Sequence, residues 1–169
     1  TLDGNSTYIG NGFVMHNKGD PLAQTFIVEE DGGCFITKID LYFQAKDENL
    51  PVRVEIREVV NGYPGPRILP FGRKTLNPSD VNISETASTA TTFTFDSPVF
   101  LKNYRDYCIT VIPAGNSDEY AVWVAKLGGK DIDTGELIDK QPGAGVLLSS
   151  ANDKTYTPIQ SEDLKFQLH

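Results

Sequence analysis

Chemistry on a protein needs a base beside a nucleophile, a set of metal ligands, or rings that can stack, and this chain offers few of each. Its only histidines are His16, in a polar N-terminal stretch, and His169, the last residue. Histidine is the usual base for a serine or cysteine nucleophile, and neither placement suggests a prepared pocket. A Ser-His-Asp or Cys-His site is therefore not expected, and the chain does not read as an enzyme. Carboxylates are plentiful, with 23 aspartate and glutamate residues. Asp118 and Glu119 precede the segment carrying Trp123, a placement that sugar hydrolysis would accept, but a polar turn before a strand is the simpler reading.

Metal ligation is equally sparse. Zinc would need closely spaced histidines and cysteines, and the two of each are scattered. The run Asp131-Ile132-Asp133-Thr134-Gly135-Glu136 alternates carboxylates around a glycine, a fragment of the oxygen-rich loop that calcium prefers. Asp131, Asp133 and Glu136 are the candidate ligands. The later acidic ligand of a full helix-loop-helix site is missing, so a solvated acidic loop competes with the calcium reading and no other cofactor is expected. Gly10-Asn11-Gly12 and Gly128-Gly129-Lys130 lack the glycine spacing of phosphate-binding loops and read as turns.

Stacking rings give the best binding hypothesis. In Tyr120-Ala121-Val122-Trp123-Val124-Ala125 the strand alternation puts Trp123 on the face opposite Tyr120 and Val122. One face must be core, and a lone tryptophan in a sandwich is more often core; the other face would be free to stack on a sugar or a partner. Tyr63 in a turn, and Tyr8 and Phe13 in the N-terminal stretch, are the further contact candidates.

The elements that must position these residues are strands. Cys34 to Phe43 alternates, with Phe35, Ile39, Leu41 and Phe43 expected on one face against Lys38 and Asp40. Val52 to Val60 repeats the pattern, with Val52, Val54 and Ile56 opposed to Arg53, Glu55 and Arg57, so one side of the sheet should be wet. Six further segments bring the total to about eight: Ala23 to Val28, Thr91 to Phe95, Tyr107 to Ile112, Tyr120 to Lys126, Gly145 to Ser149 and Leu164 to Leu168. No helical periodicity lasts three turns. The expected fold class is all-β, an antiparallel two-sheet sandwich of jelly-roll-like type spanning residues 20–169, preceded by an arm over 1–19 that could pair with a neighbour. Asn61-Gly62-Tyr63-Pro64-Gly65-Pro66 should end one strand and open an irregular stretch as far as Ser88.

A formal charge of −8 argues against nucleic acid as a partner, since phosphates would be repelled and no basic patch stands out. Arg53, Arg57, Arg67 and Lys74 are interleaved with Glu55 and Glu58 and read as a solvated strand face. No apolar run reaches the roughly 18 residues of a membrane helix, so membrane insertion is not expected. Cys34 and Cys108 allow at most one bridge, and two reduced, packed thiols are the simpler expectation. The start at Thr1 fits a processed protein or a piece of a longer parent chain, and the strand-like Leu164 to Leu168 at the end favours the piece.

Beyond these patterns, the motifs Asp20-Pro21-Leu22-Ala23-Gln24-Thr25-Phe26, Gly33-Cys34-Phe35-Ile36-Thr37-Lys38-Ile39-Asp40-Leu41-Tyr42-Phe43, Asn61-Gly62-Tyr63-Pro64-Gly65 and Ala90-Thr91-Thr92-Phe93-Thr94-Phe95 occur in an order that resembles a β-sandwich module of T-even-like myophage virion proteins, cyanophage included. Ser97-Pro98-Val99, Val122-Trp123-Val124-Ala125 and Glu162-Asp163-Leu164-Lys165-Phe166 extend the likeness, which leaves out the first 19 residues. The resemblance implies a structural piece of a tail, baseplate or fibre, located in the virion. Its partners would be other virion subunits, a second copy, or the rest of the parent chain. The strand logic is also similar to jelly-roll carbohydrate-binding modules, which implies the alternative of a host-surface glycan read by exposed aromatics.

Overall fold

A computed structural model of the protein describes residues 14–16, 21–85, 88–126, 147–150, 156–159, 162–164 and 166–169. They form twelve strands: β1 (Val14–His16), β2 (Leu22–Ile27), β3 (Cys34–Ala45), β4 (Val52–Val60), β5 (Tyr63–Leu76), β6 (Ala90–Leu101), β7 (Asp106–Pro113), β8 (Ala121–Lys126), β9 (Leu147–Ser150), β10 (Tyr156–Ile159), β11 (Glu162–Leu164) and β12 (Phe166–Leu168). The only helical pieces among the described residues are single 3-10 turns at Pro78–Asp80 and Ala114–Asn116.

The strands make two six-stranded sheets. In the first, β8 pairs with β1, β3 and β11, while β3 also pairs with β6 and β12; the second runs β10-β9-β2-β7-β4-β5. All of these pairings are antiparallel. The chain crosses between sheets repeatedly, from β2 to β3, β3 to β4, β5 to β6, β6 to β7 and β7 to β8, so the expected all-β, jelly-roll-like sandwich is what the sequence folds into.

The alternation explains the core. Val52, Val54 and Ile56 of β4 and Tyr107, Ile109 and Val111 of β7 are all buried in one cluster with Ile39, Leu41, Phe43 and Phe93 of the facing sheet. Phe43 anchors its centre, edge-on to Tyr120 at 6.0 Å and tilted against Phe93 at 6.4 Å. Each such ring contributes roughly 1.5–3 kcal/mol by leaving water. Polar side chains also enter this layer: Gln24, beside Ile109, accepts a hydrogen bond from the Leu164 backbone at 2.8 Å and so ties the chain's last segment to the opposite sheet.

Strict alternation fails at one end of β3. Counting by twos puts Phe35 with Ile39, Leu41 and Phe43, yet Phe35 is 65% exposed and Ile36 is buried. The register between β3 and β6 slips between Ile36 and Lys38. Thr37 alone of β3 there faces four residues of β6, 95–98, and a register shift by an odd number of residues exchanges the two faces of a strand, so the bulge sends Phe35 outward.

The expected irregular stretch after Asn61 is also corrected. Tyr63–Leu76 is the longest strand, joined to β4 by the two-residue turn Asn61-Gly62 with φ of 53° and 84°. Two positive φ angles over Asn-Gly are those of the hairpin turn that matches strand twist. The prolines at 64, 66 and 70 do not forbid the strand, because β5 is the edge of its sheet and needs few N–H donors. The chain start differs as well: residues 14–16 of the expected arm pair with β8, Val14 opposite Trp123.

Candidate functional site

Trp123 in β8 and Tyr120, the residue just before that strand, point to opposite sides of the sheet, and both are buried, at 2% and 1% exposure. Tyr120 faces the main core, its hydroxyl donating to the Leu50 carbonyl. Burial, with the Asp47 and Glu48 carboxylates nearby, pushes its pKa up to about 12. Trp123 faces outward but packs with Tyr42 and Ala90, and its indole N–H donates to the Ser84 carbonyl at 2.9 Å. Neither ring is presented to solvent for stacking. Tyr63 is, at 44% exposure, just after the β4–β5 turn. Tyr8, Phe13, Asp131, Asp133 and Glu136 lie outside the described residues.

Other rings, which the sequence pattern did not single out, form the accessible aromatic surface. Phe35 on β3 and Phe100 on β6 are cross-strand neighbours with ring centroids 5.1 Å apart, 65% and 45% exposed. Gly33 makes room for them: with φ of +83°, a Cβ there would lie 2.3 Å from the Leu101 carbonyl oxygen and 3.1 Å from the Phe100 ring. Beyond the same strand ends, Tyr104 is 70% exposed and donates its hydroxyl to Asp31 at 3.0 Å.

A second display sits on the edge strand. Between the pairs Glu55–Arg73 and Arg57–Ile68, β4 supplies Ile56 alone while β5 supplies Leu69, Pro70, Phe71 and Gly72. Leu69 stays in the core while Pro70 and Phe71 are exposed, Phe71 at φ +63° with 61% of it exposed. Left-handed backbone is uncommon for a bulky residue and marks local strain. Gly72 is required at the base of the loop, since a Cβ would meet the Leu69 oxygen at 2.9 Å.

Electrostatics concentrate beside this loop. Glu55, on the outward face of β4, was expected on a wet surface but has no exposed side-chain area. Arg57 grips its Oε2 with Nε at 3.0 Å and a terminal nitrogen at 2.6 Å, and reaches the Gly65 carbonyl at 3.1 Å. Arg53 at 2.9 Å and Arg73 at 3.2 Å both approach Oε1. Burial opposes ionisation of Glu55, but the hydrogen bonds from Arg57 and Arg53 outweigh it and hold the carboxyl below its ordinary range.

At the other sheet, Asp40 accepts from the Thr92 hydroxyl at 2.6 Å and lies 2.8 Å from His169 Nε2. The carboxylate stands between ring and hydroxyl, so the imidazole is not placed as a base for Thr92. Asp47 takes the Ser117 hydroxyl and the backbone N–H groups of Asn49 and Leu50, which lower its pKa and brace the β3–β4 turn. A shallow cleft of about 210 Å³ is lined by Glu58, Val59, Arg105, Asp106 and Tyr107. Ligand pockets usually start near 300 Å³. Cys34 and Cys108 are free thiols. Among the described residues there is no cluster of three or more metal-ligating side chains, and no helix long and apolar enough to cross a membrane.

No protein-family profile matches the chain, and no curated protein is significantly similar to it.

Proposed function

We propose that the chain is a non-enzymatic sandwich module of a virion structure, a phage tail, baseplate or fibre, which docks on neighbouring subunits through displayed aromatics. The observation that carries this reading is the Phe35–Phe100 pair, two large rings held side by side and facing water. Monomeric surfaces seldom keep large aromatic rings exposed without use, and aromatics are enriched at interface centres. A rigid sheet bearing projecting rings suits assembly better than chemistry, which favours concave, water-poor sites. The virion itself is taken from the sequence resemblance.

The test is incorporation. Antibody against the chain should label the tails of purified virions, and the double substitution Phe35→Ser, Phe100→Ser should leave the protein folded but excluded from particles. Particles carrying no label would sink the virion reading. Normal incorporation of the double variant would remove the aromatic pair from it.

The glycan reading has one observation in its favour: Tyr104 combines a 70% exposed ring with a carboxylate, Asp31, at its hydroxyl. An open ring beside an acceptor is what a sugar stacks on and hydrogen-bonds to. A glycan array with a multimerised protein tests it, since single contacts of this kind are weak. Signals that survive Tyr104→Ala would rule that residue out.

A further inference from the structure

We infer that Arg53 and Arg73 form an oxyanion site on the outer face of the β4–β5 hairpin, with the buried Glu55–Arg57 pair as its foundation. The argument starts from charge. Arg57 directs two nitrogens at one oxygen of Glu55, and these charge-assisted hydrogen bonds neutralise that carboxylate. Arg53 and Arg73 then converge on the other oxygen, each with a single nitrogen, at 2.9 and 3.2 Å. Two positive charges remain around one acceptor that is already satisfied.

Their positions leave them available. The side chains of Arg53 and Arg73 are 36% and 57% exposed, against 20% for Arg57. A guanidinium has five N–H donors, so Arg53 keeps donors beyond its one hydrogen bond to Glu55, and Arg73 meets the carboxylate as an ion pair only. Both approach the same oxygen, which sets the two guanidiniums side by side where one oxyanion can meet donors from each. The residues facing them across the sheet bring no second anion: Arg53 pairs with Thr75 and Ile112, while Glu55 itself lies between Thr110 and Arg73. In a chain of net charge −8 this is a local reversal of sign.

Glu55 acts here as a positioning residue. It holds two flexible arginines in one place before the ligand arrives, which lowers the ordering cost of binding. The ligand class is a single oxyanion, either a free phosphate or an acidic group carried on another chain.

The experiment is titration of the intact protein at low salt, following the Nε–Hε resonances of the arginines by NMR. One arm uses inorganic phosphate, a second uses a hexaglutamate peptide, and sodium chloride at matched ionic strength is the control. The Arg53 and Arg73 signals should move with at least one probe and not with chloride. Arg53→Gln or Arg73→Gln should weaken that binding by about tenfold or more, with the fold retained because both side chains are partly exposed. Movement with phosphate alone identifies a free or phosphoryl anion as the ligand; movement with the peptide shows that a polymer-borne carboxylate is accepted. If neither probe moves these signals more than chloride does, or if both substitutions leave binding unchanged, the site does not exist. The readout in the unsubstituted protein needs no variant to fold, and the assembly reading stands or falls separately.

Discussion

The indole N–H of Trp123 donates to the Ser84 carbonyl at 2.9 Å, fastening the segment between β5 and β6 over the outer face of the first sheet. This makes Trp123 part of the fold, not a platform. Trp123→Phe should keep the packing against Tyr42 and lose about 1 kcal/mol for the hydrogen bond. Trp123→Ala should cost about 3–5 kcal/mol, as other large aromatic truncations do. Urea unfolding of the two variants measures both; a surface ring would give near-neutral values.

Acid should destabilise the protein through Glu55. Its pKa in the folded chain lies below its ordinary value of 4.5, so the unfolded chain binds the proton more readily. The contribution is full above the unfolded pKa and disappears as pH falls through the folded pKa. Asp47, also lowered, acts in the same window below the ordinary carboxylate range. Glu55→Gln should cost about 3 kcal/mol at pH 7, since three guanidiniums lose their counter-charge. That gap should shrink once the unsubstituted protein protonates, and unfolding curves at pH 7 and pH 3 would reveal it. A gap independent of pH would mean that packing, not charge, makes Glu55 matter.

Two glycines with nearly equal φ should respond differently. Gly62 sits at φ +84° with open space around the position of a Cβ, so Gly62→Ala meets only backbone strain, about 1 kcal/mol. Gly33, at φ +83°, adds a collision with the Leu101 oxygen and the Phe100 ring, and Gly33→Ala should cost about 2–3 kcal/mol. Its ring resonances at Phe100 should also shift. Equal melting temperatures for the two variants would contradict the crowding at Gly33.

Much of this architecture was legible in the sequence, and the failures have physical causes. Seven of the eight expected strands occur, Val52–Val60 with the bounds anticipated, because alternation leaves few other folds, whereas the expected Leu164 to Leu168 falls across β11 and β12, which pair with β8 and β3. Phe35 was misplaced because a bulge carries no sign in composition. β5 was missed because its prolines were read as breakers, although Asn61-Gly62 is itself a hairpin signal. With that hairpin closed, Arg73 falls opposite Glu55, so the arginine cluster was within reach of the sequence once the register was right. What no pattern could supply is exposure: Trp123 and Phe35 are both outward-facing aromatics, and only the segment around Ser84 makes one buried and leaves the other bare.

The thiols should report the two sheets separately. Burial pushes the Cys108 thiol up to about 11, and burial with the Glu30 carboxylate also raises Cys34, which is only partly covered. At pH 8 about one Cys108 in a thousand is then thiolate, the reactive form. Ellman's reagent should modify Cys34 in the native protein and Cys108 at the rate of unfolding. Denaturant should therefore accelerate only the second phase, and simultaneous release of both thiols would contradict their different burial.

Phe71 sets stability against display. At φ +63° a side chain of this size is strained, and with 61% of it exposed the ring recovers little by burial. Phe71→Gly removes the strain and should raise stability by up to about 1 kcal/mol, despite the greater freedom glycine gives the unfolded chain. If the loop exists to present that ring to a neighbour, the same substitution should weaken assembly while the melting temperature rises. The loop would instead serve only to blunt the β5 edge if Phe71→Gly assembled normally, because the bulge, not the ring, would then be what keeps other strands from pairing there. Comparing melting temperature and particle incorporation in this one variant separates the two roles.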